Sequence, residues 1–391
     1  QFASERITPR DLVSHRSGLP GHDFLWYGSH FSRKEAVERL AYLEPSADFR
    51  ARYQYNNLMF VTAGYLLEQV SGQTWEAFVA ERIFKPLGMT TSTFFPRDSR
   101  QTNDYALPYA EEDGVVNEIP FYDDWQITGP AGSISANLEN MQHWLRFHLN
   151  QGKHGETQLV DAAQLAQTHL PQMVIPPGAA VPRGAYKEFA HWSYGMGWFV
   201  GSYKGHRMVQ HGGTIDGFKA EVALLPDDQI AVAVFVNLNR SETPNAIAFS
   251  ACDYLLGVEA TDWNSRCRAE MQQVAEQIKQ MEAIQKIVAV PDAPPSHPLE
   301  SYVGEYEHPA YGKVAITRTG EGLQLTYNGV SSQLTHIHYD LFEWAVRRLL
   351  VQSHVAFTTN ENGMIESLTF KVEPTVKPQV FTRVPDSTHS A

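Results

Sequence analysis

The stretch around residues 194–236 constrains the fold more than any other part of the chain. Residues 194–201 and 206–211 read as two strands of a hairpin turning at Lys204-Gly205, and residues 218–225 and 230–236 as a second, turning at Pro226-Asp227-Asp228. Ile230-Ala231-Val232-Ala233-Val234-Phe235-Val236 is apolar without a break, the pattern of a strand covered on both faces. A helix over about 245–256 follows, and a series of helices precedes the strands. Thr8-Pro9 caps a short one, Ser32 and Glu35 form a capping box, and residues 58–70 form an apolar helix stopped by Ser71-Gly72. Two amphipathic helices follow, one from Trp75 to about Pro86-Leu87-Gly88 and one over about 138–149. Helices flanking an antiparallel sheet imply an α+β domain, placed here at residues 1–258.

The texture changes after Gly257. Residues 263–288, rich in Glu, Gln, Ala and Met, read as a long helix, and Pro291-Asp292-Ala293-Pro294-Pro295 breaks the chain. Residues 259–295 are therefore read as a linker helix and hinge. Residues 296–391 show short strands between turns at Gly312, Gly320-Glu321-Gly322, Asn328-Gly329 and Asn362-Gly363, the spacing of a small antiparallel barrel or sandwich.

Composition narrows the partners. With 31 Lys and Arg against 44 Asp and Glu, and no basic stretch, nucleic acid is not an expected partner. Cys252 and Cys267 are too few for a disulfide framework and too far apart in sequence for a zinc knuckle, so both read as structural thiols. No apolar run has the roughly 20 residues of a membrane span. The opening Gln1-Phe2-Ala3-Ser4 is neither an initiator Met nor a signal peptide, so the true start is expected to lie upstream.

Three stretches carry chemistry. The first is Ile7-Thr8-Pro9-Arg10-Asp11-Leu12-Val13-Ser14-His15-Arg16-Ser17-Gly18-Leu19-Pro20. The second is Tyr55-Asn56-Asn57 at a helix start, with Pro86-Leu87-Gly88-Met89 further on. The third is His211-Gly212-Gly213-Thr214, at the end of a strand. In that order and spacing they resemble the Ser-x-x-Lys serine hydrolases: class C β-lactamases, penicillin-binding DD-peptidases, and related esterases and D-aminopeptidases. The tail, with Tyr302-Val303-Gly304-Glu305-Tyr306 and His336-Ile337-His338-Tyr339-Asp340, resembles the small, lipocalin-like β domain that often follows such enzymes.

The resemblance implies an acyl-enzyme mechanism without cofactor or metal, acting on an ester, amide or D-amino-acid peptide. Tyr55 would be the proton shuttle, Asn57 the substrate-amide ligand, and His211 with Gly213 the strand that closes the site. Thr214 would supply the oxyanion-hole N–H. Asn56 replaces the family's small hydroxyl residue, with its side chain expected to point away. Histidine rather than lysine at 211 removes a permanent charge for a β-lactam carboxylate, which tilts the expectation toward esterase, amidase or peptidase. No serine of this chain has a lysine three positions on. The nucleophile is accordingly expected upstream, on a segment that would arrive as a separate piece of chain, and its loss would expose a sheet edge and an apolar face. The chain alone would then be inactive. A periplasmic or secreted location follows from the resemblance, with the cytoplasm left open.

Other readings stand beside this one. A non-catalytic relative could bind peptides or peptidoglycan in the same cleft. An Asp11–His15–Ser17 triad is a weaker alternative, in a stretch the family uses structurally. His336 and His338 alternate on a strand, yet are expected to pack rather than bind metal. Trp125, Trp192 and Trp198 could line a cleft, with core packing the default reading.

Overall fold

The computed structural model describes residues 2–112, 114–123, 126–176, 186–239, 241–285, 287–346, 349 and 351–385. They form two compact units. The first comprises Gln1–Gly18, Ala47–Tyr55 and Met59–Met281; the second comprises Leu19–Ser46, Asn56–Leu58 and Glu282–Ala391. By contacts, Leu19–Ser46 groups with the C-terminal strands.

The first unit has two small hairpins, β1 (Tyr109–Glu112) with β2 (Val115–Glu118) and β3 (Lys153–His154) with β4 (Thr157–Gln158). Its main sheet has strands β5 (Met173–Ile175), β6 (Phe189–Tyr194), β7 (Phe199–Tyr203), β8 (His206–Ile215), β9 (Phe218–Leu225) and β10 (Ile230–Val236). They lie side by side in antiparallel sequence order. The expected strand over 194–201 is in fact divided. Gly195 N–H bonds Trp198 O at 2.7 Å, and Gly197 takes φ +81°, so the chain turns between β6 and β7.

Alternation along the strands sends side chains to two cores. On one face Tyr203, Met208, Ala223 and Leu225 meet Phe249 and Cys252 of the Thr243–Leu256 helix, and Trp263 and Cys267 of the Trp263–Gln285 helix. On the other, Val200, Val209 and Leu224 meet Trp144, Leu145 and Leu149 of the Leu138–Leu149 helix. Strand β10 does have cover on both faces, Ile230 and Val232 on one and Ala231 on the other. All of its residues are nonetheless only half-buried, because among the described residues it has a strand neighbour, β9, on one side alone. The neighbouring Thr243–Leu256 helix leaves Ile247, Tyr254 and Leu255 exposed.

Buried polar groups pin this unit. Asp253 accepts from Tyr203 Oη (2.5 Å), Trp263 Nε1 (3.0 Å) and the Thr261 N–H (3.0 Å), and pairs with Lys204 Nζ at 2.6 Å. That knot fixes the chain where one helix hands over to the next. The expected helix running from Trp75 to Gly88 is interrupted by a π turn over Ala80–Phe84. Pro86, which has no N–H to donate to the residue four back, gives the reason.

In the second unit, β11 (Gly304–His308), β12 (Gly312–Thr319), β13 (Gly322–Tyr327), β14 (Val330–His338), β15 (Leu341–Val346), β16 (Val351–Thr359), β17 (Ile365–Phe370) and β18 (Gln379–Arg383) close a barrel. Closure is made by β11 against β18, at Tyr306↔Arg383 and Glu307↔Thr382. The fold is thus the expected α+β sheet flanked by helices, with an all-antiparallel barrel after it.

Stacked imidazoles make the first unit acid-sensitive. His148 Nδ1 and His169 Nε2 share a hydrogen bond at 3.0 Å, and both rings are buried. Burial, with His169 nearby, pushes His148 down to about 3; burial, with Arg207 nearby, pushes His169 down to about 4. The unfolded chain binds these protons near pH ~6.5 and the native state does not, so stability is full above that value and lost as pH falls toward the folded values. The expected loss is on the order of 5 kcal/mol for the pair between pH ~6.5 and ~4. Urea melts across this range should show it, and the double variant His148→Leu with His169→Leu should flatten the slope. An unchanged slope would count against the assignment.

Candidate active site

Two distant segments are laced together before any site residue is placed. The Thr8 side chain caps the Pro9–Leu12 helix, and Asp11 completes the capping box. The Asp11 carboxylate is fully buried and accepts from Arg16 Nε (2.6 Å), Arg50 Nε (2.8 Å) and Arg50 Nη2 (2.8 Å). Burial alone would raise its pKa, but the hydrogen bonds from Arg50, Thr8 and Arg16 hold it well below the usual carboxylate range. Backbone bonds from Arg50 N to Arg16 O and from Gln54 N to His15 O, both 2.9 Å, continue the lacing. Asp11 is therefore spent on arginines rather than aimed at His15, and the Asp11–His15–Ser17 triad is not assembled. Ser17 is itself buried.

The lacing delivers Tyr55 beside His15, with ring centroids 4.2 Å apart. Tyr194, from the end of β6, packs on His15 at 4.5 Å, and Phe60 and Tyr53 lie at 5.2 and 5.8 Å. His211 joins from β8, with its ring 6.2 Å from Tyr55, 5.3 Å from Phe199 and 5.9 Å from Tyr194. Tyr55 keeps 41% of its surface exposed, so this aromatic cluster opens at Tyr55. Of the residues marked by the sequence, Tyr55 and His211 lie in this cluster, joined by Tyr194 and His15, which the motifs did not place beside them.

The hydrogen bonds assign the His211 tautomer. Nδ1 lies 2.6 Å from Gly212 O, which can only accept, so Nδ1 carries the proton. Nε2, 3.0 Å from Tyr194 Oη, then accepts from that hydroxyl. Burial, with Tyr55 and Tyr53 nearby, drives the Tyr194 pKa well above its usual value, which keeps the donor protonated. Crowding by these rings lowers the His211 pKa, and burial with His211 nearby lowers that of His15 well below the ordinary range. Both imidazoles are neutral near pH ~7.

Strand β8 outruns β7. The β7–β8 pairing ends at Phe199↔Gln210, whereas β8–β9 pairing continues to Ile215↔Phe218. Among the described residues, His211 to Ile215 thus have a strand on one side only, and alternate backbone N–H and C=O groups face outward. The two glycines differ in purpose. A Cβ on Gly212 would stand 2.8 Å from Glu221 Oε2, so the protein's own packing demands glycine there. A Cβ on Gly213 would meet nothing within 4 Å, and Gly213 and Thr214 are both exposed on the open strand.

Asn56 and Asn57 group with the second unit. Asn56 is fully buried, and its Nδ2 donates to the carbonyls of Pro20 and Leu19. The middle residue is thus a tether rather than a bystander. Asn57 begins the Asn57–Ser71 helix, and its Nδ2 donates to Asp23 Oδ1 at 3.3 Å. Trp192 and Trp198 are core residues. Trp125 lies outside the described residues. His336 Nε2 lies 2.9 Å from Tyr339 O, and a register shift breaks the strict alternation between His336 and His338. Both cysteines are buried free thiols, and burial, with Asp253 and Glu221 nearby, raises Cys252 to about 12.

A helix-flanked antiparallel sheet, with a Tyr-x-Asn helix start and a His-Gly-Gly-Thr strand that overruns its neighbour, defines the β-lactamase and penicillin-binding-protein class of fold. The chain belongs to the β-lactamase family, whose profile matches residues 1–251. A domain of unknown function, DUF3471, matches residues 289–383. Among curated relatives, unguisins hydrolase ungD′ of Aspergillus campestris is 29% identical over 334 residues, covering 81% of this chain and 59% of that protein. Protein flp of Staphylococcus aureus is 22% identical over 249 residues, covering 62% of this chain and 46% of that one. The chain thus spans only about half the length of relatives such as these. Among solved structures, the octameric penicillin-binding protein homologue from Pyrococcus abyssi superposes with a TM-score of 0.57 at 18% identity, over 97% of this chain and 78% of that one. The D-stereospecific amidohydrolase from Streptomyces sp. reaches 0.50 at 22% identity, over 63% and 73%. These place the chain in a β-lactamase-like hydrolase family.

The tautomer assignment is testable by NMR titration of the His211 ring. Replacing Tyr194 by Phe removes the donor to Nε2, so the neutral form loses support and the pKa should rise. A pKa that stays put or falls would mean that the Tyr194 hydroxyl is not the donor.

Proposed function

We propose that this chain carries the binding cleft and proton shuttle of a serine hydrolase that cleaves an ester, an amide or a D-amino-acid peptide through an acyl-enzyme. The observation that carries this reading is the convergence of the Tyr55 and His211 rings on one face of the sheet, at 6.2 Å, where β8 runs free of β7. The nucleophilic serine is assigned to residues outside these 391, since no serine here has a lysine three positions on. Among the described residues β10 has a strand neighbour on one side alone, and this edge with the exposed Ile247, Tyr254 and Leu255 supports a further segment at that side of the sheet. The hydrolase named among the curated relatives supports the reaction class.

In this reading the serine oxygen attacks the substrate carbonyl while its proton passes by way of the Tyr55 oxygen to the leaving alcohol or amine. Water then cleaves the acyl-serine ester and regenerates the hydroxyl. The Thr214 N–H on the open edge of β8 would hold the carbonyl oxygen as it gains charge. Gly213, with no side chain, leaves room for the substrate backbone beside β8, and Asn57 would bond its amide. His211 contributes a neutral wall, because both ring nitrogens are engaged within the protein. That disfavours a substrate carboxylate as the main handle, and an esterase, amidase or peptidase fits better than a β-lactamase. A periplasmic or secreted location is proposed on the family resemblance alone.

The test is labelling of the full-length protein with a fluorescent fluorophosphonate, followed by peptide mapping. The label should map to a serine outside these 391 residues, and Tyr55→Phe should slow labelling by roughly 100-fold or more. If the full-length protein takes no label, the non-catalytic reading, a peptide- or peptidoglycan-binding relative, replaces this one.

A further inference from the structure

Lipocalin-like barrels invite the expectation of a bound ligand, but this one is filled. Tyr302, Tyr306, Tyr327, Phe342, Trp344 and Phe370 are all at most 2% exposed. One mouth is occupied by the segment Leu19–Ser46. The Phe24 ring lies 6.1 Å from Tyr327 and 6.0 Å from Trp344. Phe24 O accepts from Tyr327 Oη (2.7 Å) and Asn328 Nδ2 (2.8 Å), and Asn328 also reaches Tyr27 O at 3.1 Å. Gly28, at φ +65°, sits so close that a Cβ would lie 2.4 Å from Asn328 O. His22 N donates to Glu373 Oε2 (3.0 Å), and His22 Nδ1 meets Tyr311 Oη (2.6 Å). These contacts come from residues at the β11–β12, β13–β14 and β17–β18 connections, which all lie at one end of an antiparallel barrel. Residues 22–28 are therefore gripped from several sides.

Asp23 stands within that gripped turn. Its Oδ1 accepts from Trp26 Nε1 at 2.7 Å and from Asn57 Nδ2 at 3.3 Å. Burial raises the Asp23 pKa, but an indole N–H can only donate, so Oδ1 is an acceptor in either protonation state and dictates which end of the Asn57 amide faces it. The NH₂ group turns to Asp23, and Asn57 Oδ1 is left to accept from something else. Asn56, tied to the Pro20 and Leu19 carbonyls, joins the same segment to the start of the helix.

We infer that Asp23 is a positioning residue for Asn57, and that the barrel end holds Asp23 in place through its grip on residues 22–28. The inference rests on Asn57 being the substrate-amide ligand of the preceding section. Asn57 Oδ1 would then be held ready for a substrate N–H and its second Nδ2 proton for a substrate carbonyl. Asn328 acts at one remove, through Phe24 and Tyr27.

Two measurements on the full-length protein test this. With ¹⁵N-asparagine labelling, the Asn57 side-chain amide protons should shift and exchange faster with water in Asp23→Ala, and partly so in Asn328→Ala. Unchanged signals in Asp23→Ala would overturn the inference whether or not the protein turns over any substrate. The second is the ratio of kcat/KM for p-nitrophenyl N-acetylglycinate to that for p-nitrophenyl acetate, esters that differ by one amide. Loss of one oriented hydrogen bond should lower this ratio roughly fivefold in Asn57→Ala and in Asp23→Ala. The double variant should lose no more than Asn57→Ala alone, and Asp23→Asn, which keeps an acceptor oxygen, should retain most of the ratio. A normal ratio in Asp23→Ala beside a lowered one in Asn57→Ala overturns the inference and leaves the Asn57 reading standing. A normal ratio in Asn57→Ala removes that reading, and the purpose assigned to Asp23 with it.

Discussion

One buried carboxylate holds the site together. Asp11 is out of water, and a charge in that position is tolerable only because Arg16, Arg50 and Thr8 satisfy its oxygens. Those partners come from both sides of the Leu19–Ser46 excursion, so their geometry closes the base of that excursion. Ala47 N bonds Gly18 O at 3.3 Å just inside the closure, and Gln54 N bonds His15 O just beyond Arg50. Everything about the placement of Tyr55 beside His15 follows from this closure. The same carboxylate that could be mistaken for the acid of a triad is the fastener of a loop.

Much of the fold was legible because its signals are local. The caps at Thr8 and Ser32 depend on residues three positions apart, and both are present as read. Strands 218–225 and 230–236 were bounded by their turn and by apolar content, and they stand with those bounds. The barrel followed from evenly spaced glycine turns. What failed was longer in range. The single strand expected over 194–201 is cut by Gly195 and Gly197, whose positive φ or close packing has no periodic signature. The attachment of Leu19–Ser46 to the barrel depends on contacts such as Tyr327 to Phe24, separated by 303 residues, and no pattern within the segment announces them.

The same division applies to the site. Tyr55 and His211 were legible because a short motif marks each of them. The hydroxyl of Tyr194 was not, since its meaning arises only when β6 and β8 bring it to His211 Nε2. Asn56 was expected to point its side chain away, and its amide turns to the Leu19 and Pro20 carbonyls, partners that the motif alone does not name.

The neutrality of His211 has a consequence for recognition. A lysine at the same position would bring a charge beside the end of β8, and the surrounding aromatic rings would strengthen its field by excluding water. Histidine with Nδ1 turned to Gly212 O and Nε2 to Tyr194 brings none. What β8 does offer, among the described residues, is a strand edge from His211 to Ile215 with no neighbour and a glycine at 213 with open space above it. Hydrogen bonding to a backbone-like amide is the recognition such an edge can provide, and it depends on direction rather than charge. Orientation of the polar groups is therefore the property to protect, and the fold protects it at His211 by holding the ring between Tyr194 and Gly212.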